Sequence, residues 1–418
     1  MIASEQKIIG SSEGKCRRHF EYIIPILSIA LFLATLPLKT NYNTWAMVIM
    51  LVAMLIAFII HKPRTFRWQP VFYALCAFFF IKIIGYFYTE DPYLAQKRLD
   101  NGIQLVLFPI IFSMVQFSKE NVTLLLRFFV WVVIAFCGFG LLSYAAIVPG
   151  PDWDMVWNGK LYAPLLTMWP AHWHPSFDST IVLMAVPISL SLPQPLRRRG
   201  VRYFGEWLFR ILGVTLPTAF TVLSGARVGI VAIPLLLALA YLFYCRFKPL
   251  FKWGLAVAGV LAAVFIVHQF PQADDKFEDP IRKNMRAMAI DAIKEKPLFG
   301  WGTGYVAPLI QSEERAQRVG LETPYEFGQF HNQYLEEVVQ FGIPGALVLL
   351  LLIGWLLYLG VRKKDFLLLS LLLIYLMFFW TETVLETFKG ITPFAFWVCF
   401  LAGTQGERLD NSDTVVIQ

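Results

Sequence analysis

A histidine at the border between a long polar segment and an apolar run is the first candidate for chemistry. His331 lies in the segment Phe330–Glu337, at the end of the longest polar stretch of the chain. An imidazole titrates near neutral pH and can act as a general base, and ionisable groups at a membrane edge are costly unless they serve a function. Glu336 and Glu337 follow closely enough to orient or charge this imidazole. The alternative is a structural histidine.

Three arginines could bind an anion. Arg227 ends the turn 224–227 between two apolar runs, where its charge is expensive unless it meets an anion or an acid of the bundle, and its planar fork suits phosphate oxygens. Arg282 and Arg286 are four residues apart, on one face of an amphipathic helix that helical spacing predicts over 280–295. The alternative for these two is contact with solvent or lipid headgroups.

Two further patterns invite a ligand. Gly300, Gly302 and Gly304 alternate in a polar segment, so their N–H groups could approach a phosphate. A nucleotide loop needs a preceding strand, whereas a helix is predicted here, so a tight connection with positive φ is the competing interpretation. His172 and His174 have a metal-ligand spacing, but two ligands without nearby Cys or acids are a weak signal, and no metal site is predicted.

The composition indicates a membrane protein. The chain of 418 residues is 57% hydrophobic and only 16% charged, whereas a soluble domain is about a quarter charged. The net charge of +7 does not indicate nucleic-acid binding, because the basic residues cluster in short loops between apolar runs, as the positive-inside rule requires. The five cysteines show neither a disulfide framework nor a metal-ligand spacing.

The apolar runs predict an all-α polytopic protein that forms a single integral membrane domain over 1–418. A spanning helix needs roughly 20 residues, and about twelve apolar runs come near that length. They lie at 22–38, 44–61, 70–88, 102–117, 122–148, 176–193, 205–223, 228–245, 253–269, 333–360, 366–381 and 391–403. With both termini inside, the basic loops also fall inside. The longest outside segment is then 270–332, a large, partly helical loop between spans 9 and 10 that carries His331.

These residues resemble the O-antigen ligase and O-antigen polymerase superfamily. The turn that ends at Arg227 is similar to the family's Ser-x-Ser-Arg, with Ala226 in place of the second serine. Arg282 followed by the segment 297–304 resembles an arginine followed by P-L-F-G-x-G-x-G. His331 and Asn332, with Leu335 and then 341–345, resemble H-N-x-x-L…G-x-x-G. Arg286 stands where the family commonly has an aromatic residue, and spacing favours Arg282 as the loop arginine.

The resemblance implies a GT-C-like glycosyltransferase in the bacterial inner membrane, with cytoplasmic termini and a periplasmic active site. It would move a glycan from undecaprenyl pyrophosphate to a sugar hydroxyl of lipid A core, with inversion and with neither a metal nor a cofactor. His331 would be the general base. Arg227 and Arg282 would bind the pyrophosphate. Supporting roles would fall to Arg286, Asn332, Gly300 and Gly302.

Two alternatives stay open. In the polymerases of the same superfamily, the acceptor is another lipid-linked repeat, and the sequence separates the two reactions poorly. A lipid or glycan transporter would require charges near the bilayer midplane, but Lys82 and Glu206 lie near the ends of their predicted spans.

Overall fold

The architecture is helical throughout the part of the chain that the computed structural model describes. The described residues are 23–61, 66–115, 117–147, 174–192, 201–244, 280–326 and 328–405, with 254, 257, 261 and 408. We number the helices in chain order: α1 Ile23–Thr35, α2 Thr40–His61, α3 Pro70–Tyr86, α4 Pro92–Gly102, α5 Gln104–Met114, α6 Lys119–Ile147, α7 Pro175–Val182, α8 Ala185–Ser191, α9 Val201–Leu223, α10 Arg227–Tyr244, α11 Pro280–Glu295, α12 Val306–Ile310, α13 Glu313–Arg318, α14 Gln333–Arg362, α15 Phe366–Phe379 and α16 Phe388–Gly403. A 3-10 turn, Val384–Glu386, precedes α16.

The long apolar helices confirm a polytopic membrane protein. Among the described residues, five helices are long and apolar enough to cross a membrane, namely those at Thr40–Ile60, Lys119–Ala146, Tyr203–Leu223, Arg227–Tyr244 and Gln333–Arg362. Shorter apolar helices lie at the other predicted spans, including α5 at 102–117, except 253–269, which falls almost entirely outside the described residues. The count of twelve spans stays a prediction.

Two predicted elements differ from the observed ones. The segment 89–101, predicted as a connection, forms α4, which starts at Asp91 and Pro92. The Asp91 carboxylate accepts from the Leu94 N–H at 2.9 Å, and proline suits the first helical position. The run 176–193 is two helices, α7 and α8, because Pro187 has no N–H to continue the ladder and its ring crowds the carbonyl of Leu183, where the break lies.

The main core is an aromatic and aliphatic bundle around α16, whose residues from Gly390 to Ala402 are buried. Phe396 is in ring contact with Phe32, Phe108 and Phe112, which come from α1 and α5. These contacts hold the early helices against the end of the chain.

A second, smaller core lies in the segment 280–332, which we call the cap. Met285, Met288, Ala289 and Ala292 form the buried face of α11 and pack against residues of α12, Phe330 and Val339. This spacing confirms the predicted amphipathic helix over 280–295. Val339 belongs to α14, so the cap is packed on the helix that follows His331.

Candidate functional site

A carboxylate holds the imidazole of His331. The Nδ1 atom lies 3.1 Å from Glu382 Oε2, across 51 residues of sequence. Glu382 is in the segment between α15 and the 3-10 turn and is buried, whereas the side chain of His331 keeps 29% of its surface exposed. A neutral imidazole that donates from Nδ1 to a carboxylate carries its lone pair on Nε2, which is the form that a general base needs.

Glu382 also connects the histidine to an arginine and a serine. Arg282 Nη2 lies 3.4 Å from Glu382 Oε1, and Ser176 Oγ donates to the same oxygen at 3.0 Å. Burial opposes ionisation of Glu382, but the hydrogen bond from His331 and the nearby positive groups outweigh it and lower the pKa of this carboxyl below its ordinary value. We call His331, Glu382, Arg282 and Ser176 the surface cluster.

The prediction that Glu336 and Glu337 orient the imidazole of His331 is wrong. The hydrogen bonds of both acids go to other groups. Glu336 Oε2 accepts from the backbone N–H of Phe330 at 3.0 Å, and Glu337 Oε1 accepts from the Gln333 amide at 2.7 Å. Both acids belong to α14, and their side chains are buried in the interior of the protein. Proximity in sequence did not translate into contact, because the helix directs these side chains into the bundle.

Asn332 fixes the position of His331 in two directions. Its Oδ1 accepts from the Leu335 N–H at 3.0 Å and caps α14, while its Nδ2 donates to the carbonyl of Trp380 at 3.1 Å. His331 itself has φ of 52°, an uncommon conformation for a residue other than glycine. Asn332 thus links the histidine to the segment that carries Glu382.

The glycine segment after α11 binds the protein itself. Trp301 N–H donates to the Val339 carbonyl at 2.9 Å, and Gly302 N–H donates to the Gln340 carbonyl at 2.8 Å. Gly300 N–H donates to Lys296 and Gly304 N–H to the Gln340 side chain. These amides are therefore engaged within the chain, which supports the tight connection over a phosphate loop.

The same segment meets a break in α14. Gly342 has φ of 61° and ψ of −146° inside the helix, and a Cβ there would lie 2.3 Å from the Leu298 carbonyl oxygen. Gly300 and Gly302 have φ of 68° and 90°, and a Cβ there would lie 2.5 Å and 2.7 Å from the nearest backbone atoms. Two of the three segments that resemble the family, 297–304 and 331–345, therefore pack directly against each other. This contact holds the cap beside His331.

Arg227 lies at the same end of the bundle as the surface cluster. Phe243 and Tyr244, at the end of α10, are in ring contact with Phe366, at the start of α15. The two helices are therefore antiparallel, so the start of α10 at Arg227 and the end of α15 near Glu382 face the same way. Arg227 is exposed there. The hydrogen bonds of the surface cluster given above join His331 and Arg282, but not Arg227.

Arg286 lies one turn beyond Arg282 on α11 and contacts an aromatic ring. Its guanidinium carbon is 5.7 Å from the centroid of Trp380, which is 59% exposed. Arg282 meets Glu382, which follows Trp380 by two residues. Of the two arginines, Arg282 is the one joined to His331 through Glu382. The choice of Arg282 as the loop arginine stays a prediction.

A second histidine lies close to the surface cluster. His174 precedes α7, its backbone N–H donates to Asp178 at 2.6 Å, and its ring stacks on Phe177. Burial lowers the pKa of His174, although Glu382 and Asp178 oppose that shift. His172 lies outside the described residues, which contain no group of three metal-ligating side chains.

A second group of charged residues is buried deeper in the protein. Lys82 of α3 forms an ion pair with Glu386, and its Nζ is 3.9 Å from Glu337 Oε1. Arg98 of α4 donates to the Glu386 carbonyl at 2.8 Å. We call Lys82, Glu337, Glu386 and Arg98 the buried cluster. Lys82 and Glu337 lie near the ends of α3 and α14, so these charges do not form a group at the middle of the two helices.

The sequence did not single out Glu382, Glu386 or Ser176 as site residues. The one available signal was two acids in the short segment 382–390, between apolar runs on the side predicted to be outside. Nothing local connects this break to His331.

Comparison with known proteins confirms the resemblance. The O-antigen ligase family model matches residues 212–350, a range that contains Arg227, Arg282 and His331 but not Glu382. A protein of Haemophilus influenzae described as uncharacterized is 23% identical over 362 residues, which cover 80% of this chain and 84% of that protein. The family match and the apolar helices together indicate a membrane protein that is similar to the O-antigen ligase family over residues 212–350.

Proposed function

We propose that this chain, which carries an O-antigen ligase domain at residues 212–350, is a membrane glycosyltransferase of the ligase type. It transfers a glycan from undecaprenyl pyrophosphate to a sugar hydroxyl of lipid A core, at the periplasmic face of the bacterial inner membrane. The observation that carries the proposal is the His331–Glu382 contact of 3.1 Å with Arg282 on the same carboxylate.

In the proposed reaction, His331 Nε2 takes the proton of the acceptor hydroxyl as its oxygen attacks the anomeric carbon of the donor sugar. The bond from that carbon to the pyrophosphate oxygen breaks, and undecaprenyl pyrophosphate leaves with the electron pair. Attack from the face opposite the leaving group inverts the anomeric centre. Glu382 holds the imidazole and stabilises its positive charge after proton transfer.

Arg282 and Arg227 supply positive charge for the pyrophosphate. Arg282 keeps 32% of its side-chain surface exposed although it contacts Glu382, and Arg227 is exposed at the same end of the bundle. Guanidinium groups are always charged and match phosphate oxygens in geometry. In this proposal the two arginines stabilise the leaving group without a metal, and transfer is expected at the wild-type rate in excess chelator.

The test is glycan transfer by His331→Ala. Loss of a general base costs about 10²- to 10⁴-fold in rate, so transfer should fall by that factor while membrane insertion and the melting temperature stay near wild type. Wild-type transfer by this variant would contradict the proposal.

The lipopolysaccharide of a deletion strain separates ligase from polymerase, the second candidate that the family match supports. Loss of a ligase leaves lipid A core without any attached glycan. Loss of a polymerase leaves core that carries single repeats. A transporter would instead show glycolipid flux in liposomes that survives His331→Ala.

A further inference from the structure

We propose that Trp380 and Arg286 form a binding subsite for a pyranose ring beside His331. The inference rests on the proposed glycan transfer and adds to it the residues that position one of the two sugars. The ring could belong to the acceptor or to the donor, since both present a pyranose to the same base.

Trp380 is fixed relative to the imidazole through its backbone. Its carbonyl accepts from Asn332, the residue that follows His331, at 3.1 Å. Glu382, two residues after Trp380, contacts His331 Nδ1 at 3.1 Å. These two contacts hold the backbone of the segment 380–382 against the segment 331–332, so Trp380 belongs to the same surface as the imidazole.

The indole keeps much of its surface open. Trp380 is 59% exposed, although it ends a helix whose other aromatic residues, Phe366, Tyr375, Phe378 and Phe379, are buried. Tyr334 lies 6.4 Å from it, centroid to centroid, at an interplanar angle of 59°, so this ring is not stacked on the indole. An exposed aromatic face beside a reactive group is suited to bind a flat apolar surface.

Arg286 supplies the polar part of the subsite. Its guanidinium carbon lies 5.7 Å from the indole centroid, which is within cation–π range. Among the described residues, the guanidinium of Arg286 donates no hydrogen bond and forms no ion pair. A pyranose has apolar C–H faces and hydroxyls at its rim, so an aromatic face with adjacent N–H donors matches both parts of the ring.

A tryptophan at a membrane interface can also serve as a lipid anchor. The experiment separates these roles with Trp380→Leu, which keeps an apolar side chain without an aromatic face, and Trp380→Phe, which keeps the aromatic face. The matched control is Trp45→Leu on α2, since Trp45 is 68% exposed and belongs to no cluster described above. Purified full-length protein is assayed with the acceptor varied at fixed donor, and then with the donor varied at fixed acceptor.

Stacking on an aromatic face contributes roughly 0.5–1.5 kcal/mol, so Trp380→Leu should raise the KM for one substrate by about 2- to 12-fold. Its kcat should change by less than the KM. Trp380→Phe should keep most of the affinity, and Arg286→Met should raise the KM for the same substrate. Trp45→Leu should leave both KM values unchanged. Whichever substrate responds is the one whose ring is bound.

Unchanged KM values for both substrates in Trp380→Leu would overturn the subsite, as would equal effects of Trp380→Leu and Trp380→Phe. Arg286→Met provides an independent measurement if Trp380→Leu does not fold. Wild-type protein that transfers no glycan would overturn the proposed function and the subsite with it. An active wild type with an unaffected Trp380→Leu overturns the subsite alone.

Discussion

The surface cluster and the buried cluster use similar residues for different ends. Each is organised by one glutamate, Glu382 or Glu386, only four residues apart in the chain. The basic partners of Glu382 are accessible, since His331 and Arg282 keep 29% and 32% of their side-chain surface exposed. Lys82, the partner of Glu386, keeps 1%. Accessibility of the base, and not the residue types, decides which cluster can meet a substrate.

The difference is also one of energy. A buried ion pair is costly to desolvate, and removal of one partner leaves an uncompensated charge. A pair whose basic partner keeps about a third of its surface exposed, as His331 and Arg282 do, is partly screened by water and contributes less to stability. The buried cluster is therefore expected to hold α3, α4 and α14 in place, while the surface cluster is expected to act on a ligand.

The largest effect on stability is expected from Lys82→Met. This change leaves Glu386 and Glu337 buried without their base, which should lower the free energy of unfolding by about 3–5 kcal/mol. Thermal unfolding in detergent measures it. The double variant Lys82→Met with Glu386→Gln should recover part of the loss, because it removes one of the unpaired charges. A single variant as stable as wild type would break the comparison.

Arg282→Met is expected to do the reverse. Removal of a preorganised charge that stabilises a leaving group costs about 10²- to 10³-fold in rate. The free energy of unfolding should change by no more than about 1 kcal/mol, since the pair with Glu382 is partly exposed. Transfer kinetics and thermal unfolding are measured on the same preparation. A stable protein with undiminished transfer would remove Arg282 from the site.

Glu382→Gln tests the link between the two roles. Loss of a carboxylate that orients a catalytic imidazole costs up to about 10⁴-fold in rate, so transfer should fall by no more than it does in His331→Ala. The variant keeps the shape of the side chain, so its rate measures the missing charge. A rate equal to that of wild type would mean that His331 does not depend on this carboxylate.

The pH dependence of stability sharpens the same point. The pKa of Glu382 is lowered from 4.5 in the folded protein, so its contribution is complete above that ordinary value and is lost as the pH falls through the lower folded pKa. The part of the stability difference between wild type and Glu382→Gln that comes from this carboxylate should therefore be present at pH values above 4.5 and should shrink as the pH falls below that value. Melting temperatures above and below that pH check it.

The smallest effect is expected from Ser176→Ala. It removes one hydrogen bond of 3.0 Å to Glu382 Oε1, while Arg282 still contacts that oxygen. The loss is about 0.5–1.5 kcal/mol, which corresponds to a change in rate of about 2- to 12-fold. A loss as large as that of Arg282→Met would show that Ser176 takes part in substrate binding.

The sequence alone determined the local structure and the residues that are chemically conspicuous. Helical periodicity is a short-range property, so the helix over 280–295 and the positions of the apolar helices could be predicted from it. The motif segments around Arg227, Arg282 and His331 could be recognised for the same reason, since each is contiguous in the chain. The break in α14 at Gly342 and the helix α4 were less accessible, because the first depends on a loop that packs against it and the second carries no apolar run.

Tertiary packing alone decided which residues contact His331. Glu336 and Glu337 were its nearest acids in sequence, yet α14 turns both into the bundle. Glu382, 51 residues away, reaches the imidazole because Asn332 joins the start of α14 to the end of α15. Contacts between segments so far apart depend on how the helices pack, and that packing cannot be predicted from a local sequence pattern. The same packing separated Glu382 from Glu386. It placed Glu382 beside the accessible basic groups of His331 and Arg282, and Glu386 beside the buried Lys82.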